Sequence, residues 1–307
     1  MPLVQIFIAT HNRPSLVLNA VHSALNQNFE SFEVIVSDNS TNDETEILLA
    51  KIRDSRFHYK RRMPPLPPIE HLNAILKDVT AEYFMIFHDD DVMHPEMLTV
   101  LYKKIYDRKE EVVAIGSNAK VIKNGKLRRK NLNDKLKYDI TIKNRSYLAK
   151  LYLNDFIVPF PSYLYRKKVA IELSLNPDHG GKYCDAAFII DITSLGAIVF
   201  CAAPLMDSYK HSSQDSFTNA FTDRNKLINY IIKTTNYSKK DKDIIKYRVG
   251  NIYAELKKEI LSGEIPLFYK KYFNRLVLLF KLSTLECFPK IILLTLFSCL
   301  KSKKTIL

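Results

Sequence analysis

Three consecutive carboxylates, Asp89-Asp90-Asp91, come one residue after the apolar run Tyr83-Phe84-Met85-Ile86-Phe87. An aromatic-rich run of that length reads as a buried strand. Carboxylates stacked at its end do not belong in a core, because like charges removed together from water are costly unless a cation joins them. Hard oxygen donors at adjacent positions suit Mg²⁺ or Mn²⁺, ions that hold substrate phosphates through one or two protein carboxylates. The alternative is a solvated acidic turn before the helix that His94-Pro95-Glu96 begins.

The elements around this turn alternate. Leu3 to Ala9 predicts a strand, followed by the polar turn Thr10-His11-Asn12-Arg13-Pro14 and a helix over Leu16 to Asn28. Phe32 to Ser37 predicts a second strand, ending in Asp38-Asn39-Ser40-Thr41-Asn42-Asp43, with a helix through Ile52. Phe57-His58-Tyr59 is a short third strand, and a Pro-rich loop leads to a helix from Ile69 to about Val79. Strand–helix alternation gives a parallel sheet with right-handed crossovers. Ligands bind at the carboxyl ends of such strands, where Thr10 to Arg13, Asp38 to Asn42 and Asp89 to Asp91 converge.

The ordered set IATHNRP, LNQNFESFEVIVSDNST and EYFMIFHDDDVMHPEML resembles the family 2 glycosyltransferases of GT-A fold. The likeness covers about residues 1 to 120 and continues more weakly to about residue 218. It implies an α/β fold with a Rossmann-like, mainly parallel sheet flanked by helices and a C-terminal helical appendage. The corresponding organisation is a catalytic domain over 1–221 and a basic helical region over 222–307. Within the catalytic domain, 1–118 would be the nucleotide-sugar half and 119–221 the acceptor half. The resemblance places Thr10, Asn12 and Arg13 at the base and ribose, with Asp38 at the end of strand two. Asp89 would lie nearer the ribose, and Asp90 and Asp91 would hold Mn²⁺ or Mg²⁺, Asp90 most directly. Three positions depart from the family pattern: Asn39 stands for an aspartate, Leu72-Asn73 for Arg-Asn, and His88 for an acid. Asn73 remains as a nucleotide-side residue, with one phosphate contact absent.

Inverting glycosyl transfer needs a general base for the acceptor hydroxyl. The segment Gly180-Gly181-Lys182-Tyr183-Cys184-Asp185 resembles the family's acid-headed helix under the acceptor site, which makes Asp185 the candidate base and Asp191 a poorer one. A helix-start carboxylate stabilised by exposed N–H groups is the structural alternative. The ending Tyr209-Lys210-His211 resembles a family motif in which His211 approaches the metal or diphosphate, with Lys210 nearby; a solvated loop histidine is the alternative. His22 and His58 read as surface or packing residues. The implied partners are a nucleoside-diphosphate sugar, uridine first and thymidine or guanosine after it, and a saccharide or lipid-linked acceptor.

The formal charge of +13 is uneven: residues 236–307 hold 15 Lys+Arg against 6 Asp+Glu. The tail reads as helices with breaks near 236–238, 262–264 and 288–289, and its apolar stretches, Leu276 to Leu285 and Ile291 to Leu300, are too short to span a bilayer. Apolar helices edged with lysine fit an anionic membrane surface; packing on the catalytic body, or between copies in a homo-oligomer, is the alternative. A second basic run, Lys120 to Lys137, carries a hairpin signal at Asn124-Gly125. It reads as facing a lipid-linked diphosphate or as a solvated loop. Met1-Pro2 runs straight into the first strand, and Cys184, Cys201, Cys287 and Cys299 lack metal-ligand spacing. Both features predict a reducing, cytoplasmic setting, and the lysine-edged tail predicts a peripheral position on the inner face of the cell membrane. No G-x-G-x-x-G or P-loop signature occurs. A non-catalytic membrane- or nucleic-acid-binding protein leaves the aspartates without a purpose. A nucleotidyltransferase would call for a Gly-rich first loop and a lysine for the triphosphate, whereas the first loop is Thr10-His11-Asn12-Arg13; no nucleic-acid partner is expected.

Overall fold

The computed structural model of the protein describes residues 2–108, 112–210 and 221–262, with 253–262 as backbone only. The N-terminal part alternates as the hydrophobic pattern predicts: β1 (Val4–Thr10), α1 (Pro14–Leu25), β2 (Phe32–Asp38), α2 (Glu44–Leu49), β3 (Phe57–Arg61), α3 (Pro68–Asp78) and β4 (Tyr83–His88). Proline in the first turn of α1 and of α3 starts each helix where the missing N–H costs nothing. Then come β5 (Val92–Met93), α4 (Met97–Tyr106), β6 (Val112–Lys123), β7 (Lys126–Arg129), β8 (Ile140–Ile142), α5 (Arg145–Leu153) and β9 (Tyr163–Arg166). They are followed by α6 (Lys167–Glu172), α7 (Cys184–Ile192), β10 (Ala197–Lys210), α8 (Phe221–Thr234) and α9 (Lys242–Ser262).

Among the described residues one sheet runs β3-β2-β1-β4-β9-β6-β10-β5, with β7 on β6 and β8 on β10. The pairs β3–β2, β2–β1, β1–β4 and β6–β10 are parallel. The expected parallel sheet is therefore interrupted: β9 enters between β4 and β6 antiparallel to both. Side chains alternate between two cores, as period-two strands require. Val4, Ile6, Ile8, Met85 and Phe87 pack against α1 and α4, whereas Phe7, Ile35, Phe84 and Ile86 face α3, α5 and α7. Each fully buried aliphatic or aromatic side chain contributes on the order of 1.5–3 kcal/mol.

Helices α8 and α9 belong to the second of these cores: Leu227, Ile228, Ile231 and Ile244 are buried with Phe188 of α7. The described part of the C-terminal region is thus continuous with the body that carries α7. The break between α8 and α9 falls where the turn residues near 236–238 suggested. The apolar and basic segments of 263–307 lie outside the described residues.

The approach to α7 is held by a close backbone contact. Gly181 has φ +57°, and a Cβ there would meet the Asp223 side chain of α8 at 2.1 Å. Gly125, at φ +68°, has open space instead. Alanine at either position costs about 1–2 kcal/mol of left-handed strain, but only Gly181→Ala also displaces the first turn of α8. Thermal unfolding should therefore show a clearly larger loss of Tm for Gly181→Ala than for Gly125→Ala; equal losses would contradict the docking of α8 beneath α7.

Candidate active site

Sheet register builds the site. In the parallel ladder Thr10 lies beside Asp38, and Ala9 beside His88. The loops after β1, β2 and β4 therefore leave the sheet at one edge and one level. Asn12, in a left-handed conformation at φ +53°, ties the first two loops together. Its side-chain oxygen accepts from the Thr41 N–H at 3.0 Å, and its own N–H donates to Ser40 Oγ at 2.8 Å. A short polar side chain tolerates this backbone conformation, which gives an asparagine a structural use here.

Within the acidic turn the carboxylates face different ways. Asp89, 4% exposed, accepts from Thr10 Oγ1 at 2.7 Å and pairs with Arg13 at 3.2 Å. Burial raises its carboxyl above the usual range, while Thr10 and Arg13 pull it back. Asp91, equally buried, accepts from the Tyr209 N–H at 3.1 Å. Burial pushes it up to about 6, against the lowering influence of His88, the Tyr209 N–H and Lys210. His88, Asp90 and Asp91 each bring a ligand atom within 4.8 Å of the others. One imidazole nitrogen with two carboxylates is a donor set that fits a divalent first-row ion. A cation there would offset the burial that raises the Asp91 carboxyl.

The strand pair β5–β10 closes this turn from the other side, with Met93 beside Met206 and Val92 beside Asp207. It brings Tyr209 and Lys210 to the wall of a cleft of about 540 Å³ over Asp89, Asp90 and Asp91. Leu16, Asn19 and His22 of α1 and the β6–β7 turn at Asn124-Gly125 complete the rim. His211 lies outside the described residues.

Asp185 stands in the first turn of α7, half-buried, with Oδ1 accepting from the Ala186 N–H at 2.8 Å. Burial raises its carboxyl, and the His88 imidazole draws it down. His88 is thus an electrostatic neighbour of Asp89, Asp91 and Asp185 together. Its ring also lies 6.1 Å from Phe160, which contacts Phe188 of α7 edge-on at 6.4 Å. This aromatic chain fixes α7 relative to the acidic turn. A carboxyl that burial raises above its ordinary range suits a proton acceptor.

Two expected nucleotide-side residues hold neighbouring segments by hydrogen bonds. Asp38 is 0% exposed, its oxygens taken by the Ser40 N–H at 2.8 Å and the Tyr59 hydroxyl at 2.7 Å. Asn73 pairs in both directions with the backbone of Leu175, at 2.9 and 2.8 Å. Asn39 treats Leu66 in the same way, at 2.8 and 2.7 Å. An amide both donates and accepts, which a carboxylate cannot do. That capacity explains Asn39 at a position where the resemblance leads to an aspartate. Asp191, the poorer base candidate, is held by Tyr230 at 2.7 Å and Arg145 at 2.8 Å, and joins α7 to α5 and α8. His58 pairs with Glu33 at 3.3 Å on the surface. Sequence reasoning gave no site role to His88, read as a departure from the family pattern, or to the cleft-lining His22, read as a surface or packing residue. For His88 a signal existed, a metal-competent imidazole directly before the carboxylates. For His22 only the packing of α1 could show it.

The family model described as Glycosyl transferase family 2 matches residues 5–174. The chain is 26% identical over 171 residues to the GalNAc(5)-diNAcBac-PP-undecaprenol beta-1,3-glucosyltransferase of Campylobacter jejuni, covering 55% of this chain and 54% of that one. It is 32% identical over 91 residues to the UDP-Glc:alpha-D-GlcNAc-diphosphoundecaprenol beta-1,3-glucosyltransferase WfaP of Escherichia coli, 30% of this chain and 36% of that one. The matched stretches thus span about half or less of these relatives' length. Among solved structures, S. aureus TarS 1-349 in complex with UDP-GlcNAc superposes with a TM-score of 0.63 at 14% identity, over 92% of this chain and 82% of that one. That likeness bears on the fold alone, and it agrees with the α/β, GT-A-type arrangement of sheet and acidic turn. With the family model matching more than half of its length, the chain belongs to glycosyl transferase family 2.

Proposed function

We propose that the protein transfers a sugar from a nucleoside-diphosphate sugar, a UDP-sugar first, to a lipid-linked saccharide in surface-glycan synthesis, with inversion at the anomeric carbon. The observation that carries this reading is the meeting of the His88–Asp90–Asp91 cluster with a raised Asp185 carboxyl across one imidazole. The named activities of the Campylobacter and Escherichia relatives, and UDP-GlcNAc in the TarS complex, support the donor and acceptor classes. Mn²⁺ or Mg²⁺ held by His88, Asp90 and Asp91 would supply charge neutralisation to the departing diphosphate. An imidazole nitrogen in the set favours Mn²⁺ over Mg²⁺. His211, which lies outside the described residues, is proposed as an additional ligand from the family resemblance alone.

Thr10, Asn12, Arg13 and Asp89 would receive the nucleoside. The Thr10–Asp89–Arg13 network is already formed, so little side-chain ordering remains for binding. Asp38 and Asn73 would act by holding the second loop and the Leu175 segment in place. Asp185, from the α7 side, would take the proton of the acceptor hydroxyl as its oxygen attacks the anomeric carbon opposite the diphosphate. The reaction therefore inverts the configuration. Among the described residues no helix is long and apolar enough to cross a membrane. A peripheral position on the inner face of the cell membrane is part of the proposal.

Asp185→Asn should lower transfer about 10²–10⁴-fold while UDP and Mn²⁺ still bind by calorimetry; near-normal turnover would remove Asp185 from its role. Because the base must be ionised and its carboxyl is raised, kcat/KM should fall with decreasing pH at values above the ordinary carboxylate range. The metal site has the opposite sign for stability. Native Asp91 keeps its proton up to about 6, whereas the unfolded carboxyl releases it near 3.8. The metal-free fold therefore loses stability as pH rises across that window. Mn²⁺ should accordingly raise Tm more at neutral pH than near pH 5, where protons compete for Asp91. Asp91→Asn should flatten that difference, and a pH-independent Mn²⁺ shift in the parent protein would count against it.

A further inference from the structure

The β6–β7 hairpin carries a concentration of cationic surface that the proposed chemistry leaves unused. Every residue from Lys123 to Lys130 is exposed, and Lys123, Lys126, Arg128, Arg129 and Lys130 form no ion pair with a carboxylate of the described residues. The ribbon is well defined: Asn124 and Gly125 both take left-handed φ, +53° and +68°, as a tight two-residue turn requires. Its closing pair sets Lys123 directly opposite Lys126. Like charges facing each other across a ladder destabilise it, so an arrangement of this kind is relieved by an anion from outside. Leu127 lies between Lys126 and Arg128 and is 51% exposed. An exposed leucine set among cations has the composition of a segment at a lipid–water interface rather than of a nucleic-acid groove.

The position of the ribbon matters as much as its charge. β6 leaves the sheet at the same edge as the acidic turn, and Asn124 and Gly125 form part of the rim over Asp89, Asp90 and Asp91. We infer that the β6–β7 hairpin docks the protein on an anionic lipid leaflet, with Leu127 at the interface and the cations on lipid phosphates, so that the cleft opens toward the bilayer. This inference rests on the lipid-linked acceptor of the proposed function. It differs from an anchor in the basic tail by locating the contact at the mouth of the site.

The test is sedimentation of the full chain with phosphatidylglycerol-containing vesicles and with pure phosphatidylcholine vesicles, donor and acceptor both absent. The parent protein should bind the anionic vesicles, release at high salt and ignore the neutral ones. The variant K126Q/R128Q/R129Q/K130Q changes only exposed side chains. With unchanged Tm and Mn²⁺–UDP binding, it should lose at least about tenfold in vesicle affinity, since each cation near an anionic surface contributes to attachment. A variant that binds as the parent does would assign attachment elsewhere, to the tail for example, and overturn the inference. So would a parent protein that ignores both vesicle types, or one that prefers an oligonucleotide to the vesicles. Failure of the glycosyltransferase reading would register separately, as absence of Mn²⁺–UDP binding in a parent protein that still sediments with anionic vesicles.

Discussion

Crowded carboxylates at the end of a buried strand set the terms for the rest of the molecule. Asp89 and Asp91 are almost sealed from water, and burial raises both. A protein keeps such groups charged only by spending hydrogen bonds, cations or a metal on them. Here the solutions differ by residue. Asp89 is served by Thr10 and Arg13 from the neighbouring loop. Asp91 accepts from one backbone N–H, and with Asp90 and His88 it forms a cluster in which a divalent ion would complete the balance of charge. The parallel register of β1, β2 and β4, set by the strand–helix alternation, brings the supporting loops to that same edge.

The second half of the chain serves that edge from the opposite side. β10 reaches back along β6, its end is held on β5, and its Tyr209 N–H is given to Asp91. α7 presents Asp185 toward the imidazole that also faces the acidic turn. Behind it, α8 presses on the Gly180-Gly181 approach, and Arg224 donates to the Tyr183 hydroxyl at 3.0 Å. The C-terminal helices therefore act on the position of the candidate base through packing, at a distance from the chemistry.

Much of this could be read from residue order. Period-two apolar runs and helix-starting prolines locate β1 to β4 and α1 to α3 to within a few residues, because local propensity and burial agree there. The acidic turn was visible for the same reason, since three carboxylates after an apolar strand have no bland place in a core. What escaped was whatever depends on tertiary partners. The antiparallel insertion of β9 is decided by pairing with β4 and β6 rather than by Tyr163-Leu164-Tyr165-Arg166 alone. Nor could residue order show that Asn73 pairs with Leu175 or that Asp38 accepts from Tyr59. His88 looked like a departure from a pattern, whereas in three dimensions it is the group shared by metal-side and base-side carboxyls.

Everything proposed for the chemistry depends on His88, Asp90 and Asp91 gripping one cation together. Pulsed electron paramagnetic resonance of the full chain titrated with Mn²⁺ reads this directly. The account predicts a single tightly bound Mn²⁺ whose spectrum carries modulation from one imidazole nitrogen, lost in His88→Ala. Mn²⁺ that remains free in solution, or that binds without a nitrogen ligand, would contradict it.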